Sequence, residues 1–165
     1  MTPMTGRQVN KMQVKLFDTL EMTIPDGFAV AEENVRKTHF SGTPVDYAFI
    51  EKEKDAVIGV VRTPNALPDE QVENQLLGYR QYYSRMVPGF GMGELRKSRR
   101  DNHNIALMTY KSNAPTKDMY NILAITTLEG KELLFLFACD LKVAQQLMHP
   151  FVHVLDSLKF GDDQK

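Results

Sequence analysis

The last third of the chain constrains the fold most. Residues 119–128 read as a strand, Glu129-Gly130-Lys131 as a tight turn, and residues 132–138 as a second, strongly apolar strand. Residues 140–158 then repeat apolar side chains at helical spacing. A hairpin followed at once by an amphipathic helix specifies a layer of sheet with a helix laid on it. On a helical wheel Lys142, Gln145, Gln146, His149, His153, Asp156 and Ser157 gather on one face. The opposite arc holds Leu141, Val143, Ala144, Leu147, Met148, Phe151, Val152, Val154, Leu155 and Leu158, roughly half the circumference. An arc that wide predicts packing on the sheet and also against a second element or a partner. Pro150 inside the helix removes one hydrogen bond and predicts a kink.

Upstream, apolar residues fall on alternate positions at Val14, Leu16, Leu20, Met22 and Ile24, the period of a strand pair or one bent strand. Ile24-Pro25-Asp26-Gly27 is a turn, after which Phe28 and Val30 resume the alternation. Residues 31–38 are charged and poorly periodic, a loop or short helix. Strands at 45–51 and 56–62 form a hairpin around the charged tip Lys52-Glu53-Lys54-Asp55, and Thr63-Pro64-Asn65 breaks it. A helix follows over 68–87. Pro68 suits its first turn, Asp69 and Glu70 suit its dipole, and Val72, Leu76, Tyr79, Tyr83 and Met86/Val87 make its buried stripe. Pro88-Gly89 ends it. A glycine-rich turn and a basic stretch lead to a strand at 104–111 and a loop at 112–117. The organisation expected is a flexible segment over 1–12, one α+β domain over 13–160 and a polar tail over 161–165.

An apolar fraction of 42% with 25% charged residues is enough to build a core, which excludes wholesale disorder. A formal charge of −1 gives no global attraction to nucleic acid or anionic membrane, so neither is an expected partner. The longest apolar run, residues 133–139, is far short of the ~20 residues that span a bilayer. The opening residues carry no hydrophobic signal core, and a cytoplasmic location is the expectation. Cys139 is the only cysteine, so no internal disulfide forms. At the end of an apolar strand and beside Asp140 it reads as a buried, inert thiol.

The turn Thr23-Ile24-Pro25-Asp26-Gly27-Phe28, the helix carrying Tyr79 to Tyr83, and the ending that closes on Phe151 and Leu155-Asp156-Ser157-Leu158-Lys159-Phe160 belong together. They resemble the Mog1/PsbP-like superfamily, especially its small bacterial members of the DcrB and type VI effector-associated chaperone kind. The resemblance spans about Val14 to Phe160. It implies an antiparallel sheet flanked by helices, an α/β/α sandwich. Members of that superfamily are Ran-binding factors, photosystem extrinsic subunits, lipoproteins and effector chaperones, so fold analogy constrains function weakly. It carries over no catalytic residue.

The candidate sites are few. His149 and His153, four apart, share a helix face as metal ligands would, but a site needs three or four ligands and no others are in evidence. Pro88-Gly89-Phe90-Gly91-Met92-Gly93 follows a helix rather than a strand and lacks Gly-Lys-Ser/Thr, so it is not a phosphate loop. Arg96, Lys97, Arg99 and Arg100 form the one dense basic cluster and read as a solvated strand end or hairpin tip. Leu77 and Tyr82 fall outside the helix's core stripe. With Arg80, Arg85, Phe90, Met92 and Arg96 they have the aromatic, Met and Arg composition of an interface centre. No nucleophile–base arrangement or carboxylate pair stands out, so the chain is expected to be no enzyme and to need no cofactor. Three functions stay open: a non-catalytic binding module, chaperone or adaptor engaging a protein segment or a second copy; a small-ligand binder or enzyme; and a structural oligomeric component. Because the two histidines face water without further ligands, the purified protein should hold no stoichiometric zinc. Elemental analysis finding one equivalent per chain, lost in His149→Ala, would overturn this.

Overall fold

The structure, a computed structural model, describes residues 12–33 and 44–161. The first strands are β1 (Met12–Leu16), β2 (Leu20–Ile24), β3 (Ala29–Val30), β4 (Tyr47–Glu51) and β5 (Ala56–Ala66). A 3₁₀ turn (Asp69–Gln71) leads into helix α1 (Val72–Met86). Then come β6 (Gly91–Arg100), β7 (His103–Asn113), β8 (Asp118–Leu128) and β9 (Lys131–Asp140). A second 3₁₀ turn (Leu141–Val143) opens α2 (Ala144–Asp156), and β10 (Lys159–Phe160) follows. Seven strands form one antiparallel sheet in the order β3-β4-β5-β9-β8-β7-β6, and β1-β2-β10 form a small second sheet.

The C-terminal hairpin lies in the middle of the large sheet, where Ile122 faces Phe137, Ala124 faces Phe135 and Ile125 faces Leu134. Both sides of this ladder are buried. One side packs Ile122, Ala124, Phe135 and Phe137 against Phe151 and Leu155 of α2 and against Leu20 and Met22 of the small sheet. The other packs Leu123, Ile125 and Leu134 under Val72 and Leu76 of α1. The small sheet is therefore the second element that the wide apolar arc of α2 required. Ser157 ties the two, accepting from the Thr23 amide at 2.9 Å and donating to the Val154 carbonyl at 2.6 Å. β10 closes the small sheet: Phe160 pairs with Leu20, and its ring stacks 3.8 Å from that of buried His103. The Phe160 amide donates to Asp101 at the tip of the β6–β7 hairpin.

Several local expectations change. Thr63-Pro64-Asn65 does not end the hairpin strand; β5 runs on to Ala66, with a register shift between Arg62 and Ala66. Proline lacks the ladder donor, so it interrupts pairing at a bulge instead of ending the strand. The glycine-rich turn is shorter than expected, since β6 already begins at Gly91. The basic cluster lies along β6, which turns at Asp101 and Asn102, both in the left-handed region. Leu141 is exposed because residues 141–143 form a 3₁₀ turn, to which an α-helical wheel does not apply. Met86 leaves the core stripe and is exposed, while Val87 stays half-buried. α2 remains helical through Pro150. The expected flexible segment lies outside the described residues except for Met12, which begins β1. Residues 34–38 of the expected loop and 162–165 of the expected tail also lie outside them.

Phe151 is fully buried, 4.9 Å from the Phe137 ring and 6.2 Å from that of Phe28. Phe151→Ala should cost about 3–5 kcal/mol in chemical denaturation. A loss under about 1 kcal/mol would contradict the packing of α2 on the sheet.

Candidate functional site

α1 lies across β7 and β8 and is fixed there by an element that sequence alone did not reveal. Glu132 opens β9 on the same face as Leu134, two residues on, and is completely buried. Among the described residues no cation pairs with its carboxylate, which is held by four neutral donors. Gln75 donates at 2.6 Å and Thr63 at 2.9 Å; Tyr79 at 3.2 Å and Asn65 at 3.4 Å complete the set. Thr63 and Asn65 reach it from the β5 bulge, Gln75 and Tyr79 from α1. Burial, then the adjacent carboxylate, push the Tyr79 hydroxyl far above its usual range, so it remains a donor. The i, i+2 alternation of Glu132 with Leu134 carried the signal, but it becomes informative only once α1 is known to cover that face.

The other flank of α1 is open. Between it and the start of β6 lies a groove of about 720 Å³ lined by Leu77, Gly78, Arg80 and Gln81 of the helix and by Phe90 and Met92. Nothing lies within 4 Å of where a Cβ on Gly78 would sit, so this glycine leaves the wall open. Aromatic rings back the groove: Phe90 lies 5.4 Å from Tyr110, which is 5.5 Å from Tyr83, itself 6.0 Å from Tyr79. Burial raises the hydroxyl pKa of Tyr110 and of Tyr83.

Of the seven expected interface residues, the structure gathers Leu77, Arg80, Phe90 and Met92 into this groove. Leu77 and Phe90 are half-buried and Met92 is exposed. Tyr82 is exposed but does not line the groove: five residues of helix turn it about 140° from Leu77, where it packs 6.2 Å from Tyr83. Arg85 is exposed in the last turn of α1. Arg96 lies on β6, paired with Glu94 at 2.8 Å.

A second cleft, of about 560 Å³, runs along α2 between Ile24-Pro25-Asp26 and Leu147, Pro150 and Val154, with exposed His149 and His153 on its rim. Among the described residues no group of three or more His, Cys, Asp or Glu is placed to hold a metal. Cys139 is buried; desolvation, then the charge of Asp140, push its thiol up to about 12. It is a packed side chain, not a nucleophile. No helix among the described residues is long and apolar enough to cross a membrane.

These buried groups predict how stability depends on alkali. The fold holds Cys139 and Tyr79, Tyr83, Tyr110 and Tyr120 protonated above their ordinary values of 9.0 and 10.0. A raised folded pKa means the unfolded chain loses its proton first, so this stability is intact below pH 9 and is lost as pH climbs toward about 12. The urea midpoint should hold steady to pH 9 and then fall; a midpoint unchanged to pH 12 would contradict it.

No protein-family model and no curated protein matches the chain. Solved structures do. The solution structure of cyanobacterial PsbP (CyanoP) from Synechocystis sp. PCC 6803 aligns with a TM-score of 0.66 at 16% identity, over 92% of each chain. LpqN of Mycobacterium tuberculosis, involved in cell envelope biogenesis, aligns at 0.56 and 12% identity, over 92% of this chain and 90% of LpqN. PA94 of Pseudomonas aeruginosa aligns at 0.52 and 12% identity, over 88% of this chain and 94% of PA94. At such low identity the likeness establishes the fold alone. The chain has a PsbP-like α+β fold, as its sequence resemblance implied.

Proposed function

We propose that the protein is a non-catalytic binding module that takes a protein segment into the groove between α1 and β6. The observation that carries this is the groove itself. It is walled by Leu77, Phe90 and Met92, framed by Arg80, and left open by Gly78. Aromatic, Met and Arg side chains are those that interface centres enrich. A reaction would need a nucleophile and a base converging on one point; the lining's one hydroxyl, Ser84, donates to the Gln81 carbonyl at 2.7 Å, and no carboxylate, histidine or lysine lines the groove beside it. Alignment with CyanoP and with LpqN, a protein involved in cell envelope biogenesis, is compatible with such a role.

Gly78 gives a test that spares the fold. Gly78→Ala should stabilise the helix by about 0.5–1 kcal/mol, since glycine is that much poorer in a helix interior and the added methyl meets nothing. Gly78→Phe should fill the groove without disturbing the core. Peptides selected from a random display library on the full chain, titrated by NMR, should shift amides of α1 and β6 and lose at least about tenfold in affinity to Gly78→Phe. Peptides whose shifts map onto the α2 cleft, indifferent to Gly78→Phe, would remove the groove from the function. They would favour the second reading, a small-ligand binder, which rests on that cleft's apolar walls and polar rim.

A further inference from the structure

We propose that the groove's occupant is an acidic, extended segment of another protein, which adds as a further strand along the outer edge of β6. The inference rests on the segment-binding role proposed for the groove and names the chemistry of its ligand. β6 ends the strand order of the large sheet, and among the described residues β7 is its only neighbour. All ten of its residues are exposed, so a long backbone edge stands ready for pairing.

The edge is continuous with the groove because of a bulge. Met92 pairs with Tyr110 and Leu95 with Met108, with the register shifted between them. Tyr110 and Met108 both belong to the cluster beneath α1. Met92 and Leu95 therefore point to the α1 side although they are three residues apart, a spacing that in a regular strand gives opposite sides. The bulge is fixed by Gly93, where a Cβ would collide with the Thr109 hydroxyl, and that hydroxyl accepts from the Glu94 amide at 2.8 Å.

Charge then selects the occupant. Residues 80–100 carry six cations, Arg80, Arg85, Arg96, Lys97, Arg99 and Arg100, against one anion, Glu94. In a chain of net charge −1 this segment is +5 and the rest −6. On the α1-facing side of β6 the strand's cations are answered from within the fold, Lys97 by Glu73 and Arg99 by Asp69. On the other side, Arg96 shares only an exposed pair with Glu94, and Arg100 makes no ion pair among the described residues. A strand laid on β6 thus meets Met92 and Leu95 on one face and Arg96 and Arg100 on the other. The complementary sequence alternates apolar and acidic residues. A second copy of the chain would instead bring two β6 strands of net +3 together, which repel. A nucleic acid would use the arginines but leave the backbone edge and the apolar wall unmatched.

The test uses the full chain and two fluorescein-labelled peptides, one alternating Val with Glu and one alternating Val with Lys. In fluorescence anisotropy the Val/Glu peptide should bind at least about tenfold tighter and weaken with added salt. N-methylation of every second amide on the pairing edge should abolish binding. Arg96→Glu with Arg100→Glu should reverse the preference, with melting temperature as the control on folding. Equal binding of both peptides, lost in Gly78→Phe, overturns the acidic preference and leaves the groove's role standing. Binding of neither up to about 1 mM overturns strand addition, while the display-selected peptides judge the groove separately. Undiminished binding of the N-methylated peptide overturns it as well. Single-stranded oligothymidylate binding more tightly than Val/Glu, and failing on the double variant, overturns it in favour of nucleic acid.

Discussion

Strands β8 and β9 present Ile122, Ala124, Phe135 and Phe137 to one side of the large sheet and Leu123, Ile125 and Leu134 to the other. Neither side can face water, so the sheet must be covered twice. α1 covers one face; α2 and the small sheet share the other. The layered architecture follows from that double demand, and so does the location of any site. With the middle of the sheet sealed, surface chemistry is confined to its edges and to the outer flanks of the helices.

Glu132 sets how α1 sits on its face. A buried carboxylate depends on its donors staying in place, and two of the four that hold Glu132, Gln75 and Tyr79, belong to α1. The network holds one flank of the helix against the β5 bulge. The opposite flank, with Leu77 and Gly78, is left overhanging β6. Groove and buried network are thus two consequences of one helix placement: polar anchoring on one side, open apolar surface on the other.

Much of this was legible in the sequence. The period-2 and period-3.6 patterns locate the central hairpin, both long helices, the Pro25 turn and the core stripe at Val72 and Leu76. Where they fail, an unannounced local geometry intervenes. A wheel assigned Leu141 to the core because it assumes α-helical rise where the chain makes a 3₁₀ turn. Pro64 read as a stop because a bulge is invisible without its partner strand. The interface residues were legible as a composition but not as a place, since Leu77 and Tyr82 lie on different flanks. Arg96 illustrates this most plainly: near-neutral total charge masked a strand of net +3, and only the strand order shows that this strand is an edge.

The pairing of β10 with β2 has a consequence in time. Phe160 lies about 140 residues along the chain from Leu20, and its stack on His103 and bond to Asp101 join the small sheet to the β6–β7 hairpin. Loop closure over such a span carries a large entropic cost, whereas the β8–β9 hairpin closes locally. The small sheet should therefore be the last layer to assemble, and β1 and β2 must wait unpartnered on one side until the C-terminal strand arrives. During synthesis that interval lasts while the roughly 140 residues between Leu20 and Phe160 are made. Charged and apolar residues alternate along β1 and β2, with Lys15 and Glu21 facing each other across the ladder, a pattern that should keep this early hairpin soluble meanwhile.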